Sequence, residues 1–517
     1  MTSSCLPCRL ASVPKRTSSK IERRVVQPQT IARECVTISR SVSPRAFASV
    51  LAGVLLLQLG WAIALPMLRG ADEIEHVKKA SGISTGEFLS AAVPVEGDIV
   101  EVQRDVCLLL HDGFDLAACE PVEASPSEES EHSSTELMNT TAALSNPVWY
   151  VVVAPASWLL DGAATVWGIR AIGAVICALL ITWAVILNST IRAPHRSSQC
   201  GVMLCLTPAV IYASTVAAPN GVHMASALLL WVALLTTDDH RHNAWAICVA
   251  GATMSVTHTL GLFWLTCAVA SLALLRGRRH VLSLGRNLVK SPAALAILVA
   301  TILFALSWIA AVRPNDPTRG GGDPLAESTK DIPAIAHGVV WIIQLVGTMP
   351  YRFNFLWFIV YGLWFVVFAV FLARSLQRAE GRERLTMAAV TTVGVIIPIA
   401  VTILTYEVHG YAWQGRYELP LLFAVPLIAA SVRQTPGPRD FKWAAAQEVA
   451  TGLAMGLGAT CLAVATDSGP ALAVCAGILA PLGWWMMWES SHASTMSDAR
   501  RRPAAWSRDQ DSSTVPP

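Results

Sequence analysis

The sequence predicts an all-α membrane protein that crosses the bilayer many times. Of its 517 residues, 53% are hydrophobic and only 14% are charged, against roughly a quarter charged in an average soluble domain. Apolar runs of roughly twenty residues recur along the chain, and this length crosses a bilayer core of about 30 Å. The charged residues are too few to cover the surface of a soluble protein of this size, so the composition excludes a soluble globular protein.

The charges that the chain does carry are segregated. Residues 1–45 hold nine Lys and Arg and only two acidic residues, and they are rich in Ser, Thr and Pro. This composition predicts a disordered basic tail on the cytoplasmic side. The apolar segment 46–67 is longer than the core of a signal peptide, so we expect a retained first helix that runs from inside to outside. A second disordered cytoplasmic tail is predicted at 488–517, which leaves 46–487 as the membrane domain.

One long acidic loop, 68–147, is predicted outside the membrane after the first helix. Its residues 68–146 contain sixteen Asp and Glu and four Lys and Arg, a net charge of −12, and such acidity suits the outer face. Cys107 and Cys119 both lie in this loop and are candidates for a disulfide. The short apolar segment 148–160 that follows is predicted to lie at the membrane interface rather than to span.

Together with the first helix, eleven further apolar segments give about twelve predicted transmembrane helices. Several are only about fifteen residues long, so the prediction covers 10–13 spans. The segments are 163–188, 199–217, 222–237, 243–257, 260–275, 291–312, 354–375, 386–406, 417–432, 444–465 and 471–487. The strong Arg clusters then all fall in cytoplasmic loops, which supports the orientation with both termini inside.

The same topology gathers the chain's unusual polar residues on the predicted outer face. If "GADEIEHVKKA" is helical, Asp72, His76 and Lys79 share one helix face, with Glu73 beside them. A carboxylate close to the membrane is costly to keep ionised, and the same environment suits a general base. The alternative is an ordinary solvated turn in an acidic loop.

A second polar motif, "EVHGYAWQGRYELP", leads into a predicted span from the outer face. Arg416 lies on the side of the membrane where the positive-inside rule disfavours it. Its guanidinium fork suits phosphate oxygens, and Gln414 and Tyr417 flank it in a compact polar turn. The alternative is an aromatic anchor at the interface with a snorkelling Arg.

Three more residues on this face are candidates for binding. Arg170, isolated near the outer start of a span, is a second candidate for holding an anion. His258 is an ionisable group at the membrane edge, where such groups usually face a cavity. Asn220 is either a polar site residue or the cap of the helix that begins there.

Common catalytic and cofactor motifs are missing from the sequence. The Gly-rich stretch "RPNDPTRGGGDPL" lacks the strand, the Gly-Lys-Ser/Thr ending and the helix of a P-loop, and no His-Glu-x-x-His, paired-Cys zinc motif or Gly-x-Ser-x-Gly occurs. We therefore expect no certain cofactor. Basic residues interleaved with aromatic ones are missing outside the tail, which argues against a nucleic-acid partner.

Four motifs resemble, in the same order, a bacterial family of predicted membrane proteins with a domain of unknown function (DUF 2142). They are "RGADEIEHVKKASG", "NPVWYVVVAP…IRAIGAVI", "AAPNGVHMASALLLW" and "WQGRYELPLL". The resemblance covers roughly 46–432, and Gln-Gly-Arg-Tyr-x-Leu-Pro is its most specific part. This sequence departs from the family where Gly70-Ala71 replaces the usual prolines and where the acidic insert at 95–145 is unusually long.

The resemblance implies a fold and a mechanism, because the family is grouped with the GT-C superfamily of polytopic glycosyltransferases. Asp72 and Glu73 match the position of that superfamily's acidic pair after the first helix. Asp72 is then the general base, Glu73 assists it or helps hold a divalent metal such as Mg or Mn, and Arg416 and Arg170 hold the donor phosphate. The remaining candidate binding residues are His76, Asn220, His258, Gln414 and Tyr417.

The expected function is transfer of a sugar from a polyprenyl-phosphate carrier to an envelope glycan or glycolipid at the outer face of a bacterial plasma membrane. The expected partners are the lipid bilayer, the lipid-linked donor and the acceptor. One alternative is a transporter or flippase for a lipid-linked or polar solute. Ionisable residues deep in several spans would favour this alternative. Another is a non-catalytic envelope scaffold that docks through its acidic loop.

Overall fold

The structure of the protein is a computed structural model, which describes residues 43–110, 135–191, 196–236, 241–312, 334–350, 354–409, 413–432 and 438–500. Apart from one pair of short strands, the regular structure in these ranges is helical, as the sequence predicts. The helices are α1 Pro44–Ile63, α2 Glu73–Ser84, α3 Gly97–Leu110, α4 Val148–Leu159, α5 Gly162–Ile191, α6 Arg196–Cys205, α7 Pro208–Ala213, α8 Asn220–Leu235, α9 Arg241–Thr257, α10 Gly261–Arg276, α11 Arg278–Val289, α12 Pro292–Val312, α13 Ala334–Val346, α14 Phe358–Arg378, α15 Gly381–His409, α16 Leu419–Leu422, α17 Ala424–Ser431, α18 Pro438–Ala465 and α19 Pro470–Arg500.

Among the described residues, seven helices are long and apolar enough to cross a membrane by length and composition. They are α1, α5, α12, α14, α15, α18 and α19. Shorter apolar helices accompany them, namely α4, α8, α10 and the part of α13 from His337 to Val346. The class of polytopic helical membrane protein is therefore confirmed, whereas the count of twelve spans stays a prediction.

Two of the predicted spans are broken rather than continuous. Over 199–217, α6 ends at Cys205 and α7 begins at Pro208. Over 417–432, a 3-10 turn at Gly415–Glu418 is followed by the short helices α16 and α17. Proline lacks the N–H of a continuing helix and clashes with the preceding turn, and Pro208, Pro420 and Pro426 lie at these breaks. The breaks leave irregular backbone beside the site described below.

The acidic segment after α1 is more structured than a solvated loop. It contains α2 and α3 and two antiparallel strands, β1 Ala92–Glu96 and β2 Thr135–Asn139, in which Val93 pairs with Met138. Val93 and Val95 alternate with exposed or half-buried residues and point into the core, as expected for a half-buried strand. Residues 111–134 lie outside the described part of the chain, and so do Cys119 and the side chain of Cys107, so their pairing stays a prediction.

The first and last helices pack at backbone contact. A Cβ added at Gly53 would lie 2.6 Å from the backbone nitrogen of Met487, and one at Gly60 would lie 2.8 Å from that of Ala480. Small residues let two helices approach each other this closely. Membrane helices depend on such packing for their association, because the surrounding lipid is as apolar as their own side chains. This packing fixes the end of α1, where the candidate site begins.

The helix ends differ slightly from the predicted domain boundaries. Helix α1 begins at Pro44, inside the predicted tail 1–45, because proline is favoured in the first turn of a helix. Helix α19 continues to Arg500, well past the predicted boundary at 487. The segment 488–500 is thus helical in backbone, in contrast to the predicted disordered tail, and residues 1–42 and 501–517 lie outside the described ranges.

Candidate active site

The tract between α1 and α2 ends at Asp72, which has a left-handed backbone conformation, and Glu73 begins α2. Asp72 has φ +61° and Leu68 has φ +60°, a conformation that costs a non-glycine residue about 1–2 kcal/mol. Asp72 directly precedes α2, so its side chain and that of Glu73 face different surroundings. The Asp72 side chain is 40% exposed, whereas that of Glu73 is fully buried.

Glu73 forms a buried ion pair with Arg170 of α5. The Arg170 Nε donates to Glu73 Oε1 at 2.6 Å, and its Nη2 donates to Oε2 at 2.7 Å. The backbone N–H groups of Gly70 and Ala217 also donate to this carboxylate. Burial alone would raise the pKa of Glu73, but the Arg170 charge and these hydrogen bonds hold it below its usual value.

Arg170 also holds the end of the first helix. Its guanidinium donates to the carbonyl oxygens of Leu65 and Pro66, both at 2.8 Å, and lies over the Trp167 ring. All three guanidinium nitrogens are therefore committed to Glu73 or to the backbone. This geometry departs from the sequence-based prediction that Arg170 binds a donor phosphate and that Glu73 assists the base, because neither group is presented to a substrate.

Tyr212 of α7 fixes the same tract from the other side. Its hydroxyl accepts the Ala71 N–H at 2.9 Å and donates to the carbonyl of Pro350 at 2.8 Å. Arg69 donates to the carbonyl of Thr466, near the end of α18, at 2.9 Å. Contacts on both sides of Asp72 therefore hold this residue in its strained conformation. A strained residue persists only when the surrounding structure supports it in this way.

Arg416 meets Asp72 across the fold. Its Nη2 lies 2.7 Å from Asp72 Oδ2, although the two residues are 344 positions apart in sequence. The Arg416 side chain is only 11% exposed, and its Nε is buried without a hydrogen-bond partner among the described residues. A buried guanidinium N–H without an acceptor is costly, and an anionic ligand is the natural group to satisfy it.

The backbone around Arg416 explains why glycine precedes it. A Cβ on Gly415 would overlap the carbonyl oxygen of Trp341 in α13. The Gly415 N–H donates to Gln344 Oε1 at 2.7 Å, and the Trp341 indole donates to the carbonyl of Trp413 at 3.1 Å. Helix α13, which is not among the predicted spans, therefore supports the Arg416 turn.

Aromatic rings connect Arg416 to two histidines. Tyr417 lies beside the Arg416 guanidinium, 5.5 Å from ring centroid to Cζ, and its ring is 5.3 Å from that of His258. His258 in turn stacks on His223 of α8 at 4.9 Å. Burial, with the positive Arg416 nearby, lowers the pKa of His258 to about 4. The His258 ring is therefore neutral at neutral pH.

Two more of the candidate residues lie at the edges of this cluster. Asn220 is the first residue of α8 and is buried, one turn before His223, whereas the cap position of the helix is taken by Pro219. His76 lies one turn after Asp72 in α2, and its Nδ1 is 2.7 Å from the Tyr150 hydroxyl. Burial lowers the pKa of His76, against the opposing effect of Asp72 and Glu75.

Lys79 does not reach the site, although it shares a helix face with Asp72 in the predicted pattern. It is fully buried, and its ammonium donates to the carbonyls of Phe88 and Ala143 at 2.5 and 2.7 Å. Burial lowers its pKa to about 8. It holds the connections that follow α2 and β2, a structural role.

A polar cleft opens beside Arg416. The residues that line it contribute amide, hydroxyl and guanidinium groups together with apolar side chains. They are Ala209, Tyr212, Gln344, Thr348, Met349, Gln414 and Arg416. Gln344 and Gln414 are both buried, and none of the described residues that line the cleft is acidic. Such a surface suits anions and hydroxyl groups rather than cations.

The described residues do not fit the predicted divalent metal. No group of three His, Cys, Asp or Glu side chains that could hold a metal ion occurs in the part of the chain that the structure describes. Both oxygens of Glu73 already accept hydrogen bonds from Arg170, and Asp72 pairs with Arg416. A metal ion at Asp72 or Glu73 would have to displace these arginine contacts, so the divalent metal stays a prediction and we derive no step through it.

The structure thus brings most of the predicted site residues together at one end of the helices. Asp72, His76, His258, Gln414, Arg416 and Tyr417 line or adjoin the same region, and Asn220 lies next to it. Sequence reasoning missed Tyr212, Gln344 and Thr348. A tyrosine within the apolar run "PAVIYAST" was the available signal for the first, whereas Gln344 and Thr348 have no motif that marks them.

Comparisons with known proteins give one family and one distant structure. No curated protein matches the chain in sequence. The crystal structure of ArnT from Cupriavidus metallidurans bound to undecaprenyl phosphate is similar with a TM-score of 0.44 and 11% identity, over 87% of this chain and 78% of that one. The family described as Predicted membrane protein (DUF2142) matches residues 55–425, more than half of the sequence, so the chain belongs to this family.

Proposed function

We propose that this protein is a membrane glycosyltransferase. It transfers a sugar from a polyprenyl-phosphate carrier to a hydroxyl group of an envelope glycan or glycolipid at the outer face of a bacterial plasma membrane. The phosphate of such a donor lies at the depth of the lipid headgroups, so a base and a phosphate-binding group are both needed just outside the membrane core. Asp72 and Arg416 are those groups in this proposal.

The observation that carries the proposal is the contact between Asp72 and Arg416. An exposed carboxylate lies 2.7 Å from a nearly buried guanidinium, and within the described residues the guanidinium keeps one buried N–H without an acceptor. We infer that the donor phosphate completes its hydrogen bonds, since phosphate oxygens match the fork of an arginine.

The reaction follows from these two positions. The Asp72 carboxylate accepts the proton of the acceptor hydroxyl, and the acceptor oxygen forms a bond to C1 of the sugar. The bond between C1 and the phosphate oxygen breaks, and the electron pair leaves on the polyprenyl phosphate. Arg416 stabilises the negative charge that develops there. Binding of the phosphate also competes with Asp72 for the Arg416 guanidinium.

The other residues of the site position these two groups. Glu73 and Arg170 hold the strained tract that presents Asp72, and Tyr212 fixes Ala71 beside it. Gln344, Gln414 and Thr348 offer amide and hydroxyl groups in the cleft beside Arg416, where the polar head of the donor would lie. His258 and Tyr417 form an aromatic wall next to the guanidinium.

Replacing Arg416 with Gln tests the donor-binding part of the proposal. The purified full-length protein is titrated with undecaprenyl phosphate, and binding is followed by native mass spectrometry. Since a hydrogen bond to a charged group contributes about 1.5–3 kcal/mol, we expect Arg416→Gln to raise the Kd by about 10- to 100-fold. Asp72→Asn should bind the lipid as well as the wild type or better, because it frees Arg416.

Arg104→Gln is the matched control. Arg104 lies on α3 and is half exposed, and its contact with Glu136 is long at 3.9 Å, so its substitution should leave the Kd unchanged. If Arg416→Gln binds undecaprenyl phosphate like the wild type, Arg416 is not the phosphate ligand. If the two Arg variants weaken binding equally, the interaction is only a general attraction to positive charge.

A further inference from the structure

A helix outside the proposed active site joins two membrane helices and carries an unusual charge pattern. Helix α11, "RRHVLSLGRNLV", connects α10 to the apolar helix α12. Residues 276–290 contain five Lys and Arg and no acidic residue. Helix α10 ends immediately before α11, and α12 begins immediately after α11. Because both neighbours are apolar helices, we expect α11 to lie at the membrane surface.

One side of α11 packs against the protein and a second apolar side does not. Val281, Leu284 and Leu288 are half-buried against the hydrophobic core. Leu282 and Val289, seven residues apart on a neighbouring stripe of the helix, are 50% and 65% exposed. No residue of α11 is fully buried. The exposed stripe therefore has no protein surface to cover it in the part of the chain that the structure describes.

The basic side chains lie next to the exposed apolar stripe. Arg279, Arg286 and Lys290 follow one another at spacings of seven and four residues, so they share a helix face. Within the described residues, Arg279 and Arg286 form no ion pair and no hydrogen bond, and Lys290 bonds only to the Asn287 side chain at 3.0 Å. A row of uncompensated cations beside an apolar stripe is typical of helices that lie in an anionic membrane interface.

We propose that α11 is a binding site for anionic phospholipids. Leu282 and Val289 insert among the upper acyl chains, and Arg279, Arg286 and Lys290 contact the phosphate groups of the surrounding headgroups. The occupant is the bilayer itself, because both ends of α11 are joined to helices that cross or enter it, and because the charges of the helix complement an anionic leaflet. This inference is independent of the proposed glycosyl transfer, since α11 contributes no residue to that site.

Lipid binding by charge variants tests the proposal. The full-length protein in detergent is titrated with phosphatidylglycerol or with phosphatidylcholine, and bound lipid is counted by native mass spectrometry. We expect the wild type to prefer phosphatidylglycerol and the double variant Arg279→Gln/Arg286→Gln to bind it about tenfold more weakly. The matched control Arg45→Gln/Arg384→Gln removes the same charge at the ends of α1 and α15 and should keep the preference. Equal binding of the two lipids by the wild type, or equal loss in both double variants, would overturn the proposal.

A second measurement locates the helix and does not depend on the charge variants. Spin labels are placed singly at Leu282→Cys and at Ser283→Cys in the full-length protein, with the other reactive cysteines replaced, in nanodiscs that contain phosphatidylglycerol. The label at 282 should be accessible to oxygen dissolved in the bilayer, and the label at 283 to a water-soluble nickel reagent. A label at 282 that is accessible only from water would contradict the proposed lipid contact.

Discussion

Asp72→Asn is expected to abolish the proposed glycosyl transfer while leaving the protein folded and able to bind the proposed lipid donor. The substitution keeps the size of the side chain and removes its ability to accept a proton. General base catalysis contributes about 10²- to 10⁴-fold to a rate, and we expect a loss of that size. The measurement is the amount of product glycan in cells that lack the wild-type gene and express the variant at matched membrane levels.

Glu87→Gln is the control for this result. Glu87 is an exposed carboxylate after the end of α2, so it carries the same charge as Asp72 at the opposite end of the same helix. The control should restore the product fully. Full restoration by Asp72→Asn would exclude Asp72 as the base, and loss of product in both variants would mean that the acidic segment acts as a surface rather than through one residue.

Arg170→Met is expected to destabilise the protein more than any of the other single substitutions. It leaves the fully buried Glu73 without a cation and the carbonyls of Leu65 and Pro66 without their donor. Removing one partner of a buried ion pair costs about 3–5 kcal/mol. The thermal unfolding temperature of the purified protein in detergent, followed by tryptophan fluorescence, should therefore fall clearly.

Two further variants separate a structural role of Arg170 from a role in binding. The double variant Glu73→Leu/Arg170→Met removes both charges and should be less destabilised than the sum of the single variants, because no uncompensated charge remains. Arg104→Met breaks an exposed pair with Glu136 and should change stability little. If Arg170→Met unfolds like the wild type but no longer binds undecaprenyl phosphate, Arg170 is a substrate ligand after all.

Much of the candidate site is predictable from the sequence because membrane topology is readable from it. The alternation of apolar runs and Arg-rich loops predicts that the segments containing Asp72, His258 and Arg416 lie on one face of the membrane. The contact between Asp72 and Arg416 shows that two of these segments meet. The topology does not show which two residues form the contact, since many polar residues share that face.

The parts that could not be predicted depend on backbone geometry. Asp72 and Glu73 are adjacent, and nothing in their order says that one is exposed and the other fully buried. The left-handed conformation at Asp72 separates them, and Arg170, 97 residues beyond Glu73, then takes the buried one. The two broken spans are a similar case. The prolines in 199–217 and 417–432 are visible in the sequence, but the apolar length of these segments favoured continuous helices.

Lipid-linked sugars in cells that lack this gene give the most direct measurement of the proposed function. Polyprenyl-phosphate sugars and envelope glycans are profiled by mass spectrometry in the deletion strain, with and without a wild-type copy. We predict that one polyprenyl-phosphate sugar accumulates, that one glycan or glycolipid loses the same sugar, and that the wild-type copy reverses both changes. Unchanged lipid-linked sugars together with unchanged envelope glycans would contradict the account.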